Sequence, residues 1–178
     1  MAELTTFDEI KELLKELALS QKDTDAKFKE TDKRINKAFE LFEGQWGKLM
    51  ESLVEGDLVR LLQSRGIDVH DTSMRRKGSH EGKNFEFDII AHNSNEIVIV
   101  EVKTTLRVQE VQDFLEKLDH AKTWLEEYKD YNIYGAVAYL REESGSATYA
   151  EKKKLFVIRA TGKSATIIND EHFVPRIF

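Results

Sequence analysis

Asp88, Glu101 and Lys103 are the residues whose types and spacing lend themselves to chemistry. Asp88 is bracketed by Phe87 and Ile89 in an apolar stretch, and thirteen positions further on Glu101 and Lys103 end the run Ile97-Val98-Ile99-Val100-Glu101-Val102-Lys103. Two carboxylates brought together among apolar strands repel, and burial raises that cost. A divalent cation resolves the conflict, since Mg²⁺ is typically held by one or two carboxylates together with waters and substrate phosphates. It activates a water and stabilises charge on a phosphoryl oxygen, while a lysine alongside orients or deprotonates that water. Glu-x-Lys on its own is also a common accident of strands, a salt bridge at an exposed end. What separates the two readings is whether Asp88 reaches Glu101.

The surrounding pattern predicts a hairpin that makes them meet. Strands over residues 85–91 and 96–104 are joined by the turn-prone His92-Asn93-Ser94-Asn95. Closing the turn with Ala91 opposite Glu96 places Asp88 opposite Ile99; closing it with His92 opposite Ile97 places Asp88 opposite Glu101. Cross-strand partners share a face, so either register sets Asp88 beside Glu101, directly or on the diagonal. Alternation puts Glu101 and Lys103 on one face of the second strand. That strand is apolar on both faces, as a central strand is.

Other elements follow from periodicity. Leu53, Val54, Leu58, Leu61 and Leu62 suit an amphipathic helix stopped at Arg65-Gly66. Residues 67–72 read as a short strand and 75–83 as a polar loop holding Gly78 and Gly82. Val108, Val111, Leu115, Leu118, Leu125 and Tyr128 mark one long amphipathic helix. Residues 133–140 form an apolar strand, 147–154 a short helix, and 155–160 and 166–168 closing strands. The order is helix, three strands, helix, strand, then a further helix and two strands. This is an α/β domain over residues 51–178.

Residues 1–50 have another texture. Steps of four and three link Ile10, Leu14, Leu17, Gln21, Thr24, Phe28, Thr31, Ile35, Ala38, Phe42, Gln45 and Leu49, the seam of a coiled coil. Thr24-Asp25-Ala26-Lys27 returns seven residues later as Thr31-Asp32-Lys33-Arg34. A helix over residues 8–50 would run roughly 65 Å. A rod of that length needs a partner helix, which predicts oligomerisation; the alternative is one amphipathic helix folded back on the domain. The 9 basic and 11 acidic residues of residues 1–50 nearly balance, as on a solvated helical surface rather than a nucleic-acid arm.

On Phe87-Asp88-Ile89-Ile90 and Glu101-Val102-Lys103-Thr104, with that element order, residues 47–140 resemble the PD-(D/E)-x-K nuclease superfamily. The whole chain resembles a group of uncharacterised prokaryotic proteins that join a coiled coil to such a domain. The resemblance implies a restriction-endonuclease-like mixed sheet with an αβββαβ core. It also implies Mg²⁺ or Mn²⁺ on Asp88 and Glu101, and Lys103 positioning the water. The family often adds an acid from the first helix. Glu55, eleven residues before Gly66, fits best, and Glu51, one turn earlier on the same face, is the rival. Phe87 stands where the family name has Pro, and the long helix carries no Gln-x-x-x-Tyr, which speaks against the exonuclease-like branch. Arg75, Arg76 and Lys77 with Lys83, and Arg107, are candidates for phosphate contacts, though each is equally an ordinary loop charge.

Composition bounds these readings. The 178 residues carry a formal charge of −6 and no Cys, which excludes disulfides, thiolate zinc sites and cysteine nucleophiles. The acidic balance argues against a uniformly basic nucleic-acid binder without excluding a metal-filled cleft. The five histidines show no ligand spacing, and Lys152-Lys153-Lys154 suits a helix C-terminus. No apolar run approaches the roughly 20 residues that span a bilayer, so a cytoplasmic protein is expected. The leading expectation is a metal-dependent nuclease acting on DNA, dimerised through the coiled coil. The alternative is a non-catalytic assembly protein whose nuclease-like domain binds nucleic acid or protein.

Overall fold

The computed structural model describes residues 7–161 and 164–178. The chain divides into two compact units, the first ending at Gln45 and the second running Trp46–Phe178. Helix α1 spans Phe7–Gln63. The sequence reading had placed a boundary at residue 50 and a separate helix beyond it; the helix carries on through that point. Nothing at residues 50–55 breaks it, and the glycines at 44, 47 and 56 each cost a helix only about 1 kcal/mol. Gly66, at φ +82°, ends the segment in the left-handed conformation expected of a helix-terminating glycine.

In the second unit, β1 (Asp71–His80), β2 (Lys83–His92), β3 (Glu96–Leu106), β4 (Asn132–Glu142), β5 (Phe156–Ala160) and β6 (Ala165–Ile167) form one sheet in sequential order. The pairs β1–β2, β2–β3 and β5–β6 are antiparallel, while β3–β4 and β4–β5 are parallel. β3 is therefore interior, as its doubly apolar sequence implies. Residues 75–80, read as loop, instead belong to β1, which turns through Glu81 and Gly82 into β2. Both turn residues have positive φ, 48° and 78°, the handedness that matches the twist of a two-residue hairpin. Asn93 makes the next turn, its side-chain oxygen accepting the N–H groups of Asn95 and Glu96.

Each face of the sheet is covered. On one, Met50, Val54, Leu58, Leu61 and Leu62 of α1 pack on Ile89, Val98, Val100, Ala136 and Ile158. On the other, Val111, Phe114 and Leu118 of α2 (Val108–Asp119) and Ala147 and Ala150 of α4 (Ser146–Lys152) pack on Ile97, Ile99, Val137 and Val157. The long helix expected to reach Tyr128 is broken. α2 ends at Asp119, and α3 (Ala121–Trp124) and a 3-10 turn over Glu126–Tyr128 follow. The break lets Trp124 stack on Phe85 with ring centroids 5.2 Å apart.

Candidate active site

The β2–β3 ladder pairs His92 with Ile97 and Ile89 with Val100, which is the register that sets Asp88 opposite Glu101. The paired ladder stops at Ile89. At the next position the Asp88 carboxylate itself accepts the Val102 N–H at 2.7 Å, so a side chain takes over a bond that the strand backbone would otherwise make. The partner strand is irregular at the same place. β1 pairs Met74 with Ile89 and Arg76 with Phe87 in one unbroken register, so Arg75, at φ +54°, stands opposite Asp88 and both lie outside the ladder. This is a local break in the ladder with no inserted residue, since the register is the same on either side. Across it the alternation of β2 slips: Phe87 and Ile90 both pack on the α2 side of the sheet, while Ile89 packs on the α1 side.

Glu101 is only 5% exposed. It sits at 2.8 Å from Lys103 Nζ and accepts hydrogen bonds from Lys117 Nζ at 3.0 and 3.1 Å. Burial, then the Glu101 charge, push the Asp88 carboxyl up from 3.8 to about 6; the Val102 N–H and Lys103 oppose that rise, and Glu51 adds to it. For Lys103, burial acts to depress the ammonium, but the charge and hydrogen bond of Glu101, with Asp88 and Glu110, carry it above its ordinary value. Asp88, Glu101 and Lys103 are thus electrostatically one site.

The helix acids separate. Glu51, buried, holds Arg75 through two hydrogen bonds of 2.7 and 2.9 Å and adds its charge to the field at Asp88. Its hydrogen bonds hold the Arg75 guanidinium above its ordinary value. Glu55, favoured from the sequence, accepts the Thr72 hydroxyl at 2.6 Å instead. Four of the phosphate-contact candidates carry acidic partners: Arg75 on Glu51, Arg76 on Glu127 at 2.7 Å, Lys77 on Glu86 at 3.0 Å, and Arg107 on Glu143 at 3.0 Å. Arg107 also starts α2, its backbone N–H donating to Glu110 at 2.8 Å.

Lys117 is the residue that sequence reasoning missed. It falls between Phe114 and Leu118 on α2, both buried, and that position was the available signal: the helix after β3 must cover the face that Glu101 shares. Among the described residues, no group of three or more His, Cys, Asp or Glu side chains is arranged to hold a metal ion. The donor set is a carboxylate pair, Asp88 with Glu101. That is the number Mg²⁺ ordinarily takes from a protein. Burial first, and then the Glu101 charge, disfavour the ionised Asp88 carboxylate, and a divalent cation would favour it, so the residues fit such an ion.

Residues 50–129 match the family model described as archaeal Holliday junction resolvase (Hjc). No curated protein matches the chain. Among solved structures, a repair endonuclease from Pyrococcus abyssi matches at 20% identity and TM-score 0.42, over 59% of this chain and 44% of that one. EndoMS in a double-stranded DNA complex matches at 17% identity and TM-score 0.38, over 65% of this chain and 46% of that one. The chain spans about half the length of the solved structures it matches. The helix–three strands–helix–strand core, with Asp88 and Glu101-x-Lys103 on one mixed sheet, is the arrangement that the resemblance to the PD-(D/E)-x-K superfamily implies, and residues 50–129 are similar to the resolvase family.

Proposed function

We propose that the protein is a metal-dependent nuclease that hydrolyses DNA phosphodiester bonds. The observation that carries this reading is the coupling of Asp88, pushed to about 6, with the buried Glu101 and its 2.8 Å partner Lys103. Asp88 and Glu101 would hold Mg²⁺ or Mn²⁺, with Glu51 as the third carboxylate in preference to Glu55, because the Glu51 charge already acts on Asp88. The bound ion would supply Lewis-acid stabilisation of the phosphate and an acidified water. Lys103, kept protonated by Glu101, orients that water and stabilises negative charge on the phosphoryl oxygens. Val102 fixes the Asp88 carboxylate through its N–H, and Lys117 fixes Glu101 from the helix side. To contact a phosphate, Arg75 would have to leave Glu51, and Arg76, Lys77 and Arg107 would have to leave their acidic partners.

The match to a Holliday junction resolvase family supports branched DNA as the substrate. Two copies joined through the N-terminal coiled coil would bring two such sites to one junction. Among the described residues no helix is long and apolar enough to cross a membrane, and we take the protein to act in the cytoplasm. A second reading, a non-catalytic assembly protein, is favoured by one observation: Glu101 is neutralised by two ammonium groups, and Arg75, Arg76, Lys77 and Arg107 are ion-paired.

Supercoiled, linear and four-way branched DNA incubated with Mg²⁺ or Mn²⁺ tests the two. Cleavage that Asp88→Ala and Lys103→Ala each lower by at least about 100-fold, within the range general acid–base groups contribute, is the expected result. Cleavage unchanged by both substitutions overturns the site. Junction binding without cleavage or metal uptake supports the assembly reading.

A further inference from the structure

In the first unit, Ile10, Leu14, Leu17, Phe28 and Ile35 are 45–65% exposed along one stripe of α1. An apolar stripe of this spacing on a helix is a seam for another helix. Heptad positions follow from the spacing: Leu14, Gln21, Phe28 and Ile35 are a residues, and Ile10, Leu17, Thr24, Thr31 and Ala38 are d residues. The flanking positions of the two central heptads are segregated by sign. Asp25 and Asp32 follow d, at e; Lys27 and Arg34 precede a, at g.

That segregation decides what kind of partner fits. In a parallel, in-register pair, each g residue faces the e residue of the next heptad on the other helix. Lys27 then meets Asp32 of a second copy, and the same pair recurs by symmetry. An antiparallel pair overlapping along the whole seam brings e against e and g against g. Asp25 would face Asp32 and Lys27 would face Arg34, all like charges. The polar seam residues agree. Gln21 faces the same amide of the second copy in the parallel pair, but Ala38 in the antiparallel one. The Thr24 and Thr31 hydroxyls each bond to their own helix, at Ser20 O and Lys27 O, both 2.9 Å, so neither needs a partner across the seam.

We propose that residues 10–49 of two copies form a parallel, in-register, two-stranded coiled coil. The inference deepens the oligomerisation included in the proposed function and rests on that coiled-coil reading. In a parallel pair both nuclease-like units follow the same end of the seam. In an antiparallel pair they follow opposite ends, separated by a helix of roughly 60 Å. Only the first arrangement offers both sites to one branch point.

The chain has no cysteine, so single introduced thiols report the geometry cleanly. In the full-length protein, Leu17→Cys and Ala38→Cys each sit opposite their own copy in the proposed seam, within the Cα spacing a disulfide requires. Under mild oxidation both are expected to give mostly cross-linked dimer on a non-reducing gel, and Lys33→Cys, on the outer face, little. Charge swaps supply a second measurement. Lys27→Glu or Asp32→Lys alone should weaken dimerisation by about tenfold in sedimentation equilibrium, because each replaces two attractive pairs with two repulsive ones. The double variant should return to within about threefold of the parent. A wild-type chain that is monomeric at micromolar concentration overturns the coiled coil itself. A dimer that cross-links only when Leu17→Cys is mixed with Phe42→Cys, or a double variant no tighter than the singles, overturns the parallel orientation alone. None of these readouts uses cleavage, so the nuclease reading stands or falls separately.

Discussion

Burial and the Glu101 charge push the Asp88 carboxyl from 3.8 to about 6, so the folded chain holds that proton more tightly than the unfolded one. The sign of the consequence follows: the group costs nothing below about pH 4, and stability falls as pH rises through about 6. Asn at this position cannot ionise and its amide oxygen still accepts the Val102 N–H. Asp88→Asn should therefore match wild type near pH 4 and exceed it by on the order of 2 kcal/mol at pH 8, in chelator, by chemical denaturation. Saturating Mg²⁺ should reverse the order, since the cation stabilises only the chain whose carboxylates bind it. A difference that does not vary with pH would remove the coupling. Lys117 belongs to the same balance. Lys117→Met leaves Glu101 with Lys103 alone and should cost about 1–2 kcal/mol, less than breaking a fully buried pair because Lys117 is partly exposed. That loss should shrink in Mg²⁺ melts, where a cation supplies the missing charge; an equal loss in chelator and in Mg²⁺ would mean that Lys117 only packs.

At the scale of elements, two features hold the site: the positive-φ break in the β1–β2 ladder at Arg75, whose side chain bonds to Glu51, and the seating of α2 that brings Lys117 to Glu101. The hairpin that brings Asp88 to Glu101 was legible because alternation and turn residues limit it to a few registers, and the observed pairing is one of the two that place the carboxylates together. The break in the β1–β2 ladder at Arg75 was not legible. Its signal is a single positive-φ residue, and arginine carries no preference for that conformation, so residues 75–80 read as loop when they are strand. The helix break after Asp119 was hidden for a related reason, because the apolar period continues through Leu125 while the backbone does not. α2 is seated through Gly135 of β4: a Cβ there would meet the Leu118 and Leu155 side chains at 2.5 and 2.7 Å. Gly135→Val should thus cost about 1–3 kcal/mol by overpacking and weaken the Lys117–Glu101 contact with it. Gly56, exposed in α1 with open space around its Cβ direction, gives the opposite result. Gly56→Ala should stabilise by about 0.5–1 kcal/mol. Thermal melts of the pair measure both; a Gly135→Val chain as stable as the parent would show that α2 can shift freely on the sheet.

Across the whole molecule, the second unit contains both core layers that cover the sheet. The α1 residues that enter them begin at Met50, so the unit starting at Trp46 keeps every buried contact around Asp88 and Glu101. The seven-residue repeat lies wholly before that point. The sequence places a division at residue 50 because the periods differ there, a seam of fours and threes against strands alternating by two, while α1 runs through that point without a stop. What sequence could not give was the division of labour between Glu51 and Glu55. Both lie on one helix face a turn apart, and only the position of Arg75 and Thr72 distinguishes them. If oligomerisation and chemistry are separable in this way, a chain of residues 46–178 should fold with the parent's near-ultraviolet circular dichroism and run as a monomer in light scattering. It should retain metal binding, because the carboxylate pair is untouched. On a four-way junction the full-length dimer should open both strands in one encounter, while the monomer should accumulate singly nicked junction, its second cut slowed by at least tenfold as each cut then needs a fresh association. Paired cuts by the monomer at the dimer's rate would mean that the coiled coil serves something other than bringing two sites to one substrate.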